Sequence, residues 1–226
     1  MKIIINESQL RLIVENEDNI KLCPITSDLI NSEGGVDIAM DIYNFKKDVK
    51  GWGGIKILGS LNYYTMFSDE IFRDINSFLN EIVYISGNLV LPAGDDYELS
   101  FNKLKVIGGK LDGSDLWGDI SFPELEYVEG NLEFIRSNIE TLPKLKKVNG
   151  SLHLTDSAIH SLPELTYVGG VLGLRTADIE DLPKLTYVGE ALVLTGTPLS
   201  KKIVSMSEEE RVEFMKRINA KGNILL

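Results

Sequence analysis

Asp112, Glu133 and His153 are the residues of this chain best spaced to do chemistry, because they recur at steps of 21 and 20. If the chain advances one turn for every twenty or so residues, they stand one above another on a single outward-facing column. Adjacent parallel strands lie about 4.8 Å apart. That brings the Asp112 and Glu133 carboxylates within reach of the ~5–5.5 Å separation used by retaining glycosidases. The column continues as Gly173 and Val193, which give no polar support, and Gly113 weakens the strand that carries Asp112. A glycan-binding or glycan-cleaving site on Asp112 and Glu133 is therefore the alternative reading, and a non-catalytic binding surface is the main one.

Two columns compete for that binding role. Tyr127, Lys147, Tyr167 and Tyr187 fall at one repeat position, just before an inward valine. Aromatic side chains with a polar tip are favoured at protein interfaces, although the same rings could equally stack on each other and stabilise the repeat. The second column runs Ile135, Thr155, Arg175 and Thr195 beside Glu133 and His153. Other chemistry finds little support. Gly51-Trp52-Gly53-Gly54 lacks the Lys-Ser/Thr of a phosphate loop. One cysteine and two histidines show no metal-ligand spacing. The expectation is no catalytic residue, no metal and no cofactor.

The elements that hold these columns come from a repeat. Phe122-Pro123-Glu124-Leu125 through Gly130-Asn131-Leu132-Glu133-Phe134 returns from Leu142-Pro143, Leu162-Pro163 and Leu182-Pro183, each start 20 residues after the last. A fixed period of this size signals a solenoid. One turn cannot stand alone: ordering twenty residues costs ~1–2 kcal/mol each in backbone entropy, against roughly 1.5–3 kcal/mol per buried apolar side chain. Stacked turns succeed because their strands pair and their apolar columns merge. Alternation points Leu132 and Phe134 inward and Asn131 and Glu133 outward. Gly130, Gly150 and Gly170 are expected at a corner needing positive φ, with Glu190 breaking the rule; the prolines mark the other corner.

The template extends towards the N-terminus through Leu104, Ile107, Gly109 and Leu111, then Ile82, Ile85, Gly87, Leu89 and Leu91, then Ile57, Gly59, Leu61 and Tyr63. The glycine spacings widen to 21 and 22 on the way. The string Leu-Pro-x-Leu-x-x-Val-x-Gly-x-Leu-x-Leu, over roughly residues 52–200, resembles the leucine-rich repeats of receptor L domains and related fungal and bacterial surface repeats. That resemblance implies a right-handed coil and a recognition role. The commoner consensus places Asn or Cys after the strand, whereas Ser137, Ser157, Ala177 and Thr197 stand there, so no buried asparagine ladder is expected.

Bulk properties narrow the setting. A chain of 226 residues with 43% hydrophobic residues suffices for one solenoid domain. A net charge of −11 argues against nucleic acid or an anionic membrane as the main partner. A lone Cys23 suits a reducing compartment or a chain that needs no disulfides. No run approaches the ~18 apolar residues of a membrane span, and Met1–Ile5 is too short for a signal-peptide core. A cytoplasmic or virion location is expected.

The flanks complete the plan. Residues 1–35 read as an N-terminal helical cap (6–16) and a polar loop (17–35). The opening Lys2-Ile3-Ile4-Ile5-Asn6-Glu7-Ser8-Gln9-Leu10-Arg11 resembles N-terminal tags of proteins from phages and their bacterial hosts. Val36–Tyr43 alternates as a strand, and 64–81 has helical spacing through Ile71, Phe72, Ile75, Phe78 and Leu79. The solenoid is assigned to 36–200. In 201–226, Ser207-Glu208-Glu209-Glu210 forms a capping box, with Val212, Phe214, Met215 and Ile218 on one face, and Gly222–Leu226 repeats the strand motif beside Leu192–Leu194. The fold expected is mainly β: a right-handed parallel β-solenoid of about seven rungs with helical caps. The function expected is non-enzymatic protein recognition or scaffolding, in a phage or its bacterial host.

Overall fold

The computed structural model describes residues 21–23, 55–57, 61–62, 79–95 and 98–226, which form a parallel β-solenoid. Among them one sheet of nine strands runs in the order 21–23, 55–57, 82–85, 106–107, 127–128, 147–148, 167–168, 187–188 and 219–220. A second, of eight, runs 61–62, 89–90, 111–112, 132–133, 152–153, 172–173, 192–193 and 224–225. Every pairing in both is parallel. The strands are short because each turn must bend soon after its glycine and again before its proline.

The interior is the set of columns that the repeat demands. Leu111, Leu132, Leu152, Leu172 and Leu192 pair in register, and all are fully buried. Ile107, Val128, Val148, Val168 and Val188 form a second such column. The extension towards the N-terminus also holds: Ile57 pairs with Ile85 and Leu61 with Leu89.

Gly113 shows how one irregular position is absorbed. It stands where the other turns carry Leu154, Leu174 and Leu194, and a Cβ there would run into the ring of Phe134 from the next turn. The missing side chain makes room for the large one above it. Phe134 tilts against Phe122 at 5.8 Å, and Phe122 stacks on Phe101 at 4.9 Å. The buried hydroxyls after the strand bond locally: Ser137 Oγ donates to Phe134 O, Ser157 Oγ to Leu154 O and Thr197 Oγ1 to Leu194 O, at 2.7–3.0 Å.

The glycine corner differs from expectation. Gly130, Gly150 and Gly170 do not lie at positive φ. They are required by close approach: a Cβ on Gly130 would come 2.7 Å from the Gly109 carbonyl carbon, and one on Gly150 equally near Gly130. Left-handed backbone occurs instead at Asp115, Arg136, Asp156 and Thr176 (φ 51–60°) and at Gly196 (φ 83°), one per turn. Ladder bonds hold that bend in place, as Arg136 N–H donates to Thr155 O and Asp156 N–H to Arg175 O.

At the C-terminal end, helix α1 (Pro198–Ser205) was not foreseen, although Thr197-Pro198 is a cap followed by a first-turn proline. Thr197 Oγ1 accepts from Ser200 N–H at 2.9 Å. Helix α2 (Glu208–Arg217) has the expected capping box between Ser207 and Glu210. Phe214 and Ile218 are buried, but Val212 is exposed, because it turns away from the face that packs on the coils. Ile224–Leu225 pairs with Leu192–Val193 as expected, and Asn219–Ala220 adds an unforeseen strand beside Tyr187–Val188. Lys21–Cys23, read as loop, is a strand paired with Ile55–Ile57. A run that short acquires strand character only from the neighbour it pairs with. The helix at 6–16, the strand at 36–43 and all but the end of the 64–81 insertion lie outside the described residues.

Two substitutions should move stability in opposite directions. Gly150→Ala forces backbone apart and should lower Tm by more than about 4 °C. Thr176→Gly removes a β-branched residue from left-handed backbone and should raise Tm by roughly 2–4 °C. Calorimetry of both variants checks the assignment of which corner is strained and which is crowded.

Candidate functional site

The column with Asp112, Glu133 and His153 lies on the eight-stranded sheet, where register places the three residues side by side. Their surroundings are set by Lys110, which shares the outward face of the Asp112 strand. Its Nζ lies 3.0 Å from Asp112 Oδ2 and 2.9 Å from Glu133 Oε2. The hydrogen bond to Glu133 raises the Lys110 pKa above its ordinary value, burial opposes this, and Asp112 adds to the rise. For Asp112, burial pushes the carboxyl up, but the Ser114 N–H at 3.1 Å and the Lys110 ammonium prevail and hold it below the usual range. A glycosidase needs one carboxyl kept protonated. Here one ammonium bridges the pair, and Asp112 is held ionised.

His153 is half-buried. A Cβ on Gly173 would stand 3.1 Å from its Nδ1, so the glycine in the next turn leaves room for the imidazole. Arg175 is exposed one position along the second column, and its carbonyl accepts from Asp156 N–H at 3.0 Å. It is not paired in register with His153. Sequence reasoning missed Lys110. The signal was available: Lys110 and Asp112 flank an inward leucine, so alternation alone puts them on one face.

The tyrosine column lies on the nine-stranded sheet. Tyr127, Lys147, Tyr167 and Tyr187 pair in register, followed by Asn219. Tyr167 and Tyr187 stack with centroids 4.8 Å apart and planes 6° from parallel. Lys147 Nζ lies 4.9 Å from the Tyr167 centroid, Lys146 Nζ 5.9 Å from Tyr127 and Lys221 Nζ 6.0 Å from Tyr187. All four column residues are half-buried. Burial lowers the Lys147 pKa against the pull of Glu129, and burial raises that of Tyr167, helped by Tyr187. Tyr167 and Tyr187 thus cover one face of each other, while Lys147 separates Tyr127 from Tyr167. The structure therefore unites these four residues in one strip and keeps Glu133, His153 and Arg175 on a different side of the coil.

Compared with protein-family models, curated proteins and solved structures, the chain has no match. Among the described residues, no helix is long and apolar enough to cross a membrane, and no group of three or more His, Cys, Asp or Glu side chains could hold a metal.

The Lys110 bridge has pH consequences of both signs. Asp112, lowered from 3.8, adds stability that is complete above that value and lost as pH falls through its folded-state value. Lys110, raised from 10.5, adds stability that is complete below that value and lost as pH climbs through its folded-state value. Lys110→Met should shift the Asp112 carboxyl titration upward in an NMR pH series. An unchanged Asp112 titration would mean that Ser114 alone holds the carboxylate.

Proposed function

We propose that the protein is a recognition or scaffolding module without catalytic activity, built on right-handed coils of the leucine-rich type and working in a phage or its bacterial host. The repeat string supports the leucine-rich assignment, and the N-terminal segment supports the setting. The observation that carries the binding role is the Tyr127–Lys147–Tyr167–Tyr187 strip. Tyr167 and Tyr187 are held by stacking on each other and Lys147 lies over the Tyr167 ring, so these three side chains have less conformational freedom to lose when a partner docks. Half-buried tyrosines offer both an apolar ring and a hydroxyl, which suits the mixed apolar and hydrogen-bonding surface of a protein. A sugar ring would instead seek an open aromatic face, and in Tyr167 and Tyr187 stacking and the Lys147 and Lys221 ammonium groups compete for those faces. The partner proposed is a protein, with no role for nucleic acid or membrane.

The test compares wild type with Tyr167→Ala/Tyr187→Ala in affinity capture from a bacterial host, with thermal melts confirming that both are folded. Proteins retained by wild type should be lost from the variant, and unchanged capture would remove the tyrosine strip from the interface. In a parallel assay across a glycan panel, neither wild type nor Glu133→Gln is expected to release sugar. Cleavage by wild type that disappears in the variant would restore the glycosidase reading.

A further inference from the structure

The third side of the coil, away from both columns, carries a cleft. A cavity of about 500 Å³ opens between residues 119–123 of one turn and 138–143 of the next, with Ala158 at its far edge. It coincides with a change of step. The turn from Gly109 to Gly130 takes 21 residues and the next, from Gly130 to Gly150, takes 20. The longer turns pair as strands here, Glu98–Ser100 with Asp119–Ser121. The turn after them, one residue shorter, cannot follow in register.

The mismatch shows in the backbone. Asn138 N–H donates to Leu116 O at one end of the seam, and the Lys144–Glu124 ion pair closes the other. Between these, no hydrogen bond joins 119–123 to 139–143 among the described residues. The seam on the far side is bonded again, with His160 N–H donating to Glu140 O at 3.0 Å and Thr141 bridged to Ser161. A stretch of sheet edge is thus left without backbone bonds to its neighbour; residues 160–163 and 179–183 likewise share none, but it is between 119–123 and 138–143 that the cavity opens.

We propose that this cleft binds an extended peptide segment carrying lysine or arginine. Backbone groups at the interrupted edge suit the amides of an added strand. The buried Ile120 and Phe122 form an apolar floor beside Pro123 and Pro143. Asp119 and Glu140 stand exposed on opposite lips, and among the described residues no cationic side chain lines the space. Lys144, the nearest cation along the chain, is held by Glu124 at 2.6 Å. The basic side chains of the peptide would meet the two carboxylates while its backbone occupies the seam. The site lies on another side of the coil from the tyrosine strip, so neither reading depends on the other.

The probe is a fluorescein-labelled, end-capped hexapeptide of alternating threonine and lysine, titrated with the full chain by anisotropy at physiological salt. Asp119→Asn/Glu140→Gln should weaken binding about five- to tenfold. Glu208→Gln/Glu209→Gln removes the same charge from the exposed start of α2 and should change it less than about twofold. Tyr167→Ala/Tyr187→Ala should leave it unchanged. Equal loss in both acidic variants would reduce the effect to net charge and overturn the proposal. So would failure of the peptide to bind, or binding of a neutral oligosaccharide probe in its place.

Discussion

Everything in this structure depends on neighbouring turns approaching closely enough for their backbones to bond. At Gly130 and Gly150 the next backbone is so near that a Cβ would intrude. That contact fixes the spacing at which Leu132 meets Leu152 and Val128 meets Val148. Once the spacing is fixed, the apolar columns become continuous and the hydrophobic term accumulates turn by turn. The same closeness dictates the surface. Any outward residue has its counterparts directly above and below, so Tyr167 must stack on Tyr187 and Glu124 must face Lys144.

That enforced neighbourhood turns single residues into collective features. A carboxylate on one turn meets whatever the next turn offers. Lys110 sits between Asp112 and Glu133, Glu164 pairs with Lys184, and Arg136 with Asp115. These pairs are partly or largely exposed, so solvent screens them and each contributes little to stability. Their larger effect is on surface pattern: Asp112 and Glu133 each meet the Lys110 ammonium. A cleft opens between 119–123 and 138–143, where the step also shortens from 21 residues to 20.

Much of this was legible from residue order. The period located the buried columns and both candidate surfaces, and Gly222–Leu226 could be recognised as a further strand from the template alone. The capping box at Ser207 and Glu210 was equally plain. Less legible was the reason for each glycine, since positive φ and close approach select the same residue. The strand at Lys21–Cys23 was hidden because a short run has no periodicity to display. Lys110 was missed because steps of twenty drew attention along the stack, whereas the bridge depends on alternation within one strand.

By itself the sequence determined the winding: equal steps of apolar residues admit one economical arrangement, with leucine above leucine and tyrosine above tyrosine. Only the tertiary structure decided what those adjacencies do. It chose stacking for Tyr167 and Tyr187, an ammonium bridge for Asp112 and Glu133, and an open seam where 21 residues give way to 20. The physical reason is that a period specifies which residues are neighbours. Rotamers, distances and missing backbone bonds are set by how two particular turns fit together in space.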